Sequence, residues 1–474
     1  MAHEHHGMMG YAGIEGFRCS GINRAGRFGR TFPDLPPLYR DPDELRAIGD
    51  PGGPMKDPGP PNLAKAVPLG SIFFGQFIDH DITLDVTSSL SAVNRPEEVM
   101  NVRTPTLDLD CVYGDGPDGH PFMYSGPKLL TGAEMVPKLK VAGFAADDLP
   151  RSASDRAIIG DPRNDENRVI SQMQLGFLRF HNKVVDHLAA SIPPAQLFAE
   201  AQRVVRWHYQ WVVVNDFLRQ VCGGWIVDDV LANGRKVYRP ELCGDHLPFI
   251  PIEFATAAYR FGHTMIAQRF SVQPGGLQHD LFGATLGAAF SPVSAADQVV
   301  GWAALLDGGG PFEKAGALDT FLAKDLLTLP FIPAGDVGSL ATRNLLRGQS
   351  FRLPSGESIA RAMQAAGAAE ITDGRINDAR QKAKSRFGIE KGIPFWLFLL
   401  AEGEAVGRHD ANGTFKKGEG LGPTGARLVA EVIIGLLELD DRSYLGANRS
   451  WSPKQGPDLL KPGGVTTLFD LLTY

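Results

Sequence analysis

Several short segments of the chain concentrate side chains capable of acid–base or metal chemistry, and the first is GQFIDHD. If this segment is helical, Gln76 and His80 lie four residues apart and share a face, while Asp79 and Asp81 flank the imidazole on other faces. Carboxylates beside so many apolar residues are costly to bury unless they are paired or bind a metal ion. The segment therefore indicates a functional site, with a solvated helix end around a satisfied histidine as the alternative.

A second segment, TPTLDLD, alternates oxygen-bearing side chains with other residues. Its candidate ligands are Thr104, Thr106, Asp108 and Asp110. Calcium is bound by six to eight oxygens from carboxylates, hydroxyls and carbonyls, and a loop of this composition supplies all three kinds. The pattern is typical of a calcium loop, and an ordinary polar turn is the alternative.

A third segment, GDPRNDEN, begins with an aspartate and a proline, which are typical of the cap and first turn of a helix. Arg163 and Glu166 are then three residues apart and can point the same way. The segment indicates a charged pair directed into a site, or alternatively a charged helix start on the surface.

Two further segments are YRFGHT, which ends in His263-Thr264, and RNLLR at 343–347. On a helix, Arg260 and His263 share a face, and the glycine between them costs roughly 1 kcal/mol relative to alanine. Close approach of a flat group is one reason for a helix to accept that cost. Taken alone, His263 is also consistent with a satisfied core histidine, and RNLLR is typical of a basic surface turn.

The elements that must position these segments are predicted to be helices. Apolar residues recur at three- or four-residue steps from Ile170 to Ala189, the pattern of an amphipathic helix. A second long helix is expected from about Ala199 to Val221, and a third from near Pro251 through His263. Later helices are expected at about 296–306, 356–367, 376–386, 392–404 and 423–438. Strand alternation is scarce, so the predicted fold class is mainly α, with long loops and little β.

The domain organisation is predicted from proline density. Prolines cluster between residues 31 and 70, which indicates an extended N-terminal arm, 1–70, packed on the body. Residues 71–474 are then expected to form one helical domain, because the sequence shows no repeat and no clean linker between independent cores.

Composition and charge exclude several classes of partner. With a formal net charge of −7 and a pI of about 6.0, the chain has no electrostatic footprint for nucleic acid or an anionic membrane. Its longest apolar stretch, Ile393 to Ala401, is too short to span a bilayer. The four cysteines form no CxxC pair and no disulfide framework. Residues 1–16 lack the features of a secretory signal, so we expect a cytoplasmic protein or one exported without a cleaved signal.

Taken in order along the chain, GQFIDHD, the threonine–aspartate loop ending in VYG, GDPRNDEN and RFGHT resemble the animal-type haem peroxidases of the peroxidase–cyclooxygenase superfamily. The resemblance extends from about residue 25, RAGRFGRTFPDLP, to about residue 452. It implies a helical haem peroxidase fold, haem b, hydrogen peroxide as the oxidant, and halide, thiocyanate or phenolic electron donors. The disulfide set of the mammalian members is missing, so a bacterial-type relative of myeloperoxidase and lactoperoxidase is expected.

On the proximal side of the haem, the resemblance implies that His263 is the iron ligand. Asn344 is similar to the asparagine that accepts the other imidazole N–H, a bond that makes the ligand more basic. Arg260 and Arg347 correspond to the partners of the haem propionates.

On the distal side, His80 matches the base that takes a proton from the near oxygen of peroxide and returns it to the far oxygen. Arg163 resembles the arginine that stabilises charge on the departing oxygen. Gln76 matches the glutamine that holds distal water near the halide position.

The resemblance also implies two kinds of carboxylate chemistry. Asp79 and Glu166 match the residues that form ester bonds to haem methyl groups in mammalian members, so ester-linked haem is expected. Because Asp81 directly follows His80, a calcium ion bound to it would brace the distal helix. The implied calcium ligands are Asp81, Thr104, Thr106, Asp108 and Asp110, with Thr106 also acting through its carbonyl.

Two other functions stay open at the level of sequence. A fatty-acid dioxygenase of the same superfamily carries its radical tyrosine three residues before the proximal histidine, whereas here that position is Arg260 and Tyr259 lies one residue earlier. Arginine cannot form the radical, and its guanidinium suits a propionate. The third possibility is a non-catalytic module that binds haem or calcium, although every residue that the peroxidase mechanism needs is present.

Overall fold

The computed structural model describes residues 26–139, 143–242, 247–287, 289–456 and 458–474. Helices dominate these ranges and the strands are short, so the predicted mainly α fold class is confirmed. Cys111 and Cys222 are buried free thiols, whereas Cys19 and Cys243 lie outside the described residues. Within those ranges, no helix is long and apolar enough to cross a membrane.

The helices vary from single turns to a rod of 21 residues. They are α1 (Pro42–Gly49), α2 (Leu69–Ile82), α3 (Asp110–Tyr113), α4 (Gly116–Gly119), α5 (Gly132–Leu139), α6 (Arg168–Leu188), α7 (Pro194–Val212), α8 (Leu218–Val221), α9 (Gly224–Asn233), α10 (Ile252–Thr256), α11 (Trp302–Leu305), α12 (Leu340–Ser350), α13 (Gly356–Ala365), α14 (Asp373–Phe387), α15 (Phe395–Ala405), α16 (Pro423–Glu438), α17 (Tyr444–Ala447) and α18 (Leu468–Thr473). A π-helical turn, Val213–Phe217, joins α7 to α8, and a 3₁₀ turn, Pro162–Asp165, precedes α6.

The strands are short and form small sheets. They are β1 (Gly26–Gly29), β2 (Leu63–Pro68), β3 (Met100–Asn101), β4 (Tyr124–Ser125), β5 (Lys128–Leu129), β6 (Ile250–Pro251), β7 (Arg269–Phe270), β8 (His279–Asp280), β9 (Lys314–Gly316), β10 (Arg408–His409) and β11 (Phe415–Lys416). One three-stranded sheet has the order β3-β1-β6, antiparallel and then parallel, and the pairs β2-β9, β4-β5, β7-β8 and β10-β11 are antiparallel.

The core forms where helices carry apolar residues around most of their circumference, because such helices must be covered on most faces. In α2, Phe77 stacks on Phe177 of α6 with ring centroids 4.6 Å apart, and Tyr209 of α7 meets Phe177 edge-on at 5.8 Å. Offset and edge-on aromatic pairs of this kind contribute about 0.5–1.5 kcal/mol beyond the area they bury. This aromatic packing fixes α2 against α6 and α7.

The prediction of one helix from Pro251 through His263 is wrong. The helix α10 ends at Thr256, and a separate 3₁₀ segment, Ala258–Thr264, follows it. The break falls at Ala257, whose φ of −138° and ψ of −66° are not helical. A 3₁₀ segment has three residues per turn, so residues three apart are eclipsed. The change therefore aligns Arg260 with His263 more closely than an α-helix would.

Two other expectations need correction. The helix expected at 296–306 is divided into a 3₁₀ turn, Ala296–Gln298, and the short α11 after Gly301. The proline-rich arm contains α1, since Asp41 accepts a hydrogen bond from Asp43 N at 2.9 Å and Pro42 occupies the first turn, where proline needs no N–H partner. The division into 1–70 and 71–474 stays a prediction.

Candidate active site

His80 lies near the C-terminal end of α2 and is almost completely buried. Its Nδ1 is 2.7 Å from Oδ1 of Asn164, which belongs to the 3₁₀ turn before α6. Burial, reinforced by the nearby Arg163 guanidinium, lowers the pKa of His80 to about 4. The imidazole is therefore neutral near pH 7, which is the state a proton acceptor requires.

Gln76 lies one helical turn before His80 and its Nε2 donates to Oε1 of Glu166. The same Glu166 oxygen lies 3.9 Å from His80 Nε2. Burial raises the pKa of Glu166 to about 8, with Asp161 and Asp79 adding to the effect. The structure thus brings Gln76, His80 and Glu166 together, and the amide of Gln76 is hydrogen-bonded to Glu166.

Arg163 is held in place by Asp161, the N-cap of its own turn. Its Nη2 donates to Asp161 Oδ2 at 2.7 Å and to the backbone oxygens of His80 and Thr83 at 3.0 and 2.8 Å. Burial alone would raise the pKa of Asp161, but Arg103 and Arg163 hold it well below its usual range. The aspartate therefore stays negatively charged and orients the guanidinium. None of these hydrogen bonds involves Nη1 of Arg163.

His263 lies in the 3₁₀ segment that α15 supports, where the Trp396 indole donates to Arg260 O at 3.2 Å. Its Nδ1 is 2.9 Å from Nδ2 of Asn344, a fully buried residue of α12. Burial, and then the Arg260 guanidinium, lower the pKa of His263 to about 3. Arg260 Nη1 also lies 3.4 Å from Asn344 Oδ1, so the arginine, the amide and the imidazole form one connected group.

These two groups open on one cavity of about 630 Å³. Its walls are largely apolar, as in most ligand sites, with a few charged groups placed among them. Of the predicted site residues, Asn344 is not among those that line it. Those that do are Gln76, Asp79, His80, Arg163, Glu166, Arg260, His263 and Arg347.

A second site lies beside α2, where the carboxylates of Asp81, Asp108 and Asp110 come within 4.8 Å of one another. Leu109, between the last two, has a left-handed φ of 60°, so the loop turns sharply between them. Burial, with repulsion from Asp108 and Asp110, raises the pKa of Asp81 well above its usual range. Asp81 Oδ1 is buried with no hydrogen-bond partner, an atom that a bound cation would satisfy.

The two predicted threonine ligands lie at the edge of this cluster. Thr104 Oγ1 donates to Asp108 Oδ2 at 3.2 Å, and Thr106 Oγ1 donates to Thr104 Oγ1 at 2.9 Å. Hydroxyl and carboxylate oxygens are the donor set that calcium prefers. The structure therefore brings the predicted calcium ligands together.

Sequence reasoning missed two residues that the structure places at the site. Asn164 contacts His80, although the sequence singled out only its neighbours Arg163 and Glu166. Arg343 lines the cavity together with Arg347, four residues further along α12. The spacing of those arginines, which puts both on one helix face, was a signal that could have identified Arg343.

The comparison with protein families settles the class of this chain. The model of the animal haem peroxidase family matches residues 86–373, well over half of the chain, and the protein belongs to that family. The match begins after α2, so His80 and Gln76 lie outside it.

Relatives are similar over part of their length. A peroxidase-like protein of Margaritifera margaritifera is 27% identical over 261 residues, covering 43% of this chain and 32% of that protein. A peroxidase of Drosophila melanogaster is 27% identical over 194 residues, covering 37% and 27%. The chain therefore spans about a third or less of the length of these relatives.

Solved structures share the fold at low sequence identity. Peroxidase A from Dictyostelium discoideum superposes with a TM-score of 0.57 at 15% identity, covering 89% of this chain and 88% of that one. A fatty acid alpha-dioxygenase from Arabidopsis thaliana gives a TM-score of 0.60 at 16% identity, covering 95% and 77%. This chain therefore shares its fold with a peroxidase and with a fatty acid alpha-dioxygenase.

Proposed function

We propose that this protein is a haem peroxidase that reduces hydrogen peroxide and oxidises halide, thiocyanate or phenolic donors. One observation carries the proposal: two histidines, His80 and His263, line the same cavity, and each is bonded through Nδ1 to an asparagine behind it. The two Nε2 atoms are then the ring nitrogens left for chemistry. One is proposed as the iron ligand and the other as the base.

The family implies haem, and the residues present fit such a group. The cavity of about 630 Å³ has the size of an ordinary cofactor site, and apolar side chains such as Ile72 and Phe261 line it. His263 would ligate iron through Nε2 with its proton on Nδ1, which requires the Asn344 amide to turn its oxygen toward the ring and away from Arg260 Nη1. Arg260 and Arg347 are proposed to pair with the propionates, and Arg343 adds a third cation on the same wall.

Bound haem would supply the electrons that reduce peroxide and the oxidising power passed on to the donor. The chain supplies proton transfer and charge stabilisation. His80 Nε2 takes a proton from the near oxygen of peroxide and returns it to the far oxygen as water leaves. Arg163, held by Asp161, faces the negative charge that develops on the departing oxygen.

Three finer features belong to the same proposal. Gln76 is proposed to position distal water or halide, besides donating to Glu166. Asp79 and Glu166 line the cavity and are proposed to form ester bonds to haem methyl groups. The Asp81–Asp108–Asp110 cluster, with Thr104 and Thr106, is proposed to bind calcium.

A fatty-acid dioxygenase is the second candidate, because Tyr259 lines the cavity and its buried hydroxyl has no hydrogen-bond partner. However, the tyrosine lies four residues before His263, and the position three before it is Arg260. In the 3₁₀ segment, the arginine is the residue eclipsed with His263. The arrangement therefore favours the peroxidase.

The proposal is tested with the purified protein reconstituted with haem. We expect His263→Ala to lose the high-spin ferric spectrum, and His80→Ala to keep haem while slowing the reaction with peroxide by about 10²–10⁴, the usual contribution of a positioned acid–base group. His181, a buried histidine bonded to Tyr113 and Pro127, provides the matched control, His181→Ala. Haem retained with an unchanged spectrum in His263→Ala would refute the ligand assignment.

A further inference from the structure

The structure places a chain of side-chain amides behind the candidate distal base. Asn164 Oδ1 is 2.7 Å from His80 Nδ1, and Asn164 Nδ2 donates to Gln174 Oε1 at 2.8 Å. Gln174 Nε2 in turn donates to the backbone oxygen of Cys111 at 3.4 Å. Asn164, Gln174 and Cys111 are fully buried, and neither amide lines the cavity.

The direction of every hydrogen bond in this chain of amides follows from its last acceptor, the backbone oxygen of Cys111. A backbone carbonyl can only accept a hydrogen bond, so Gln174 must turn its Nε2 toward Cys111 and its Oε1 toward Asn164. Asn164 must then turn its Nδ2 toward Gln174 and its Oδ1 toward His80. An amide oxygen accepts, so the proton of the neutral imidazole is on Nδ1.

We propose that Asn164 and Gln174 are positioning residues that fix the tautomer of His80, so that its Nε2 always presents a lone pair to the cavity. This proposal rests on the proposed function, in which Nε2 of His80 is the base. It adds the two residues that keep Nε2 able to accept a proton. Reversing either amide in place would set two donors or two acceptors against each other in a buried space. The wrong tautomer is therefore excluded by the whole chain of bonds.

The consequence for proton transfer is specific. Peroxide gives the proton of its near oxygen to Nε2. As the O–O bond breaks, the imidazolium returns that proton to the far oxygen, which leaves as water, and the two electrons for this reduction would come from bound haem. The Nδ1 proton stays on Nδ1 throughout, held by Asn164. An imidazole protonated on Nε2 instead would have no lone pair to accept the first proton.

The test compares Asn164→Leu and Gln174→Leu with a matched control in the haem-loaded protein. Gln172 is also buried on α6, two residues before Gln174, but bonds to Asp147 O and Val300 N instead. Two rates are measured: the reaction with peroxide, and the association of cyanide with ferric haem. Hydrogen cyanide must also surrender its proton to a base on binding, so the second rate reports on Nε2 without turnover.

We expect Asn164→Leu to slow both rates by at least about tenfold, and by no more than the 10²–10⁴ that a positioned acid–base group contributes. Gln174→Leu should have a smaller effect in the same direction, and Gln172→Leu should leave both rates unchanged. Haem content and the ferric spectrum should match the wild type in all three. Asn164→Asp, which restores an oxygen acceptor to Nδ1, should recover fast cyanide association.

Several outcomes would overturn the proposal. Wild-type rates in an Asn164→Leu variant with full haem content would show that the tautomer needs no fixing. Equal slowing in Gln172→Leu and Gln174→Leu would show a general packing effect on α6. If Asn164→Leu does not fold, Gln174→Leu and Asn164→Asp decide the question by the same rates. Failure of the proposed function is distinguishable, because His80→Ala would then leave both rates unchanged.

Discussion

The carboxylate cluster beside α2 allows a prediction in which one substitution has opposite effects under two conditions. Asp81, Asp108 and Asp110 lie within 4.8 Å of one another. If all three were charged at that separation, each pair would repel by about 3.5 kcal/mol at an effective dielectric of about 20, and three pairs by about 10; the raised pKa of Asp81 is the response to this repulsion and to burial. Arg103 offsets part of this through its ion pair with Asp110, but it is shared with Asp161. Such a repulsion is comparable to the whole stability of a folded protein.

A bound calcium ion would reverse the sign of this energy, because each carboxylate then faces a divalent cation. The informative substitution is Asp108→Asn, which keeps the shape and one oxygen but removes one charge. Without calcium it eliminates two of the three repulsions, at most about 7 kcal/mol before proton uptake by the cluster reduces the gain. With calcium it removes a ligand charge. The variant should therefore be more stable than the wild type in chelator and less stable in calcium.

The measurement is thermal unfolding of both proteins in excess calcium and in excess chelator, with elemental analysis of the purified wild type. We expect one bound calcium, and a wild-type melting temperature that chelation lowers by several degrees. Asp118→Asn removes an exposed aspartate of the nearby α4 and should shift the melting temperature equally in both conditions. If Asp108→Asn is destabilised by the same amount with and without calcium, the cluster is not a cation site.

Three further predictions concern the cavity and the core. After exposure to peroxide, acid extraction should leave haem on the wild type and release it from the double variant Asp79→Asn, Glu166→Gln; full release from the wild type would show that these carboxylates do not link. Tyr259→Phe should leave turnover of a phenolic donor nearly intact, and a stereospecific fatty-acid hydroperoxide lost in that variant would favour the dioxygenase. Burial raises the pKa of Asp319 from near 4 to about 7, so the folded state keeps a proton that the unfolded state releases. The free energy of unfolding should thus fall as pH rises between those values, and Asp319→Asn should raise the melting temperature at pH 8 but not at pH 4.

Much of the scaffold follows from local patterns in the sequence. The apolar periodicity predicted α6 within two residues at its start, and the helix expected at 423–438 coincides with α16. The apolar periodicity and the residues at the helix ends suffice to predict these two helices, because one face or a whole apolar surface of each must be buried. The mainly α class follows from the same patterns.

The features that the sequence did not predict depend on neighbours that are distant along the chain. The break at Ala257 is invisible to a periodic pattern, since apolar residues continue on both sides of it. RNLLR was consistent with a surface turn, yet Arg343 and Asn344 are buried in α12 because α1 and α15 pack against that helix. The partner of His80 is 84 positions away in sequence. No local sequence pattern predicts a contact between two residues so far apart in the chain.

The tripeptide Asp79-His80-Asp81 shows how one helix connects these sites. Consecutive residues of an α-helix are rotated by about 100°, so the three side chains leave α2 in three directions. Asp79 lines the cavity, His80 meets Asn164, and Asp81 joins the carboxylate cluster. Because Cys111, which orients Gln174, directly follows Asp110, the loop proposed to bind calcium is connected to His80 in two ways: through α2 and through the chain of amides. Loss of the ion should therefore disturb His80 before it disturbs His263, whose supports come from α12 and α15.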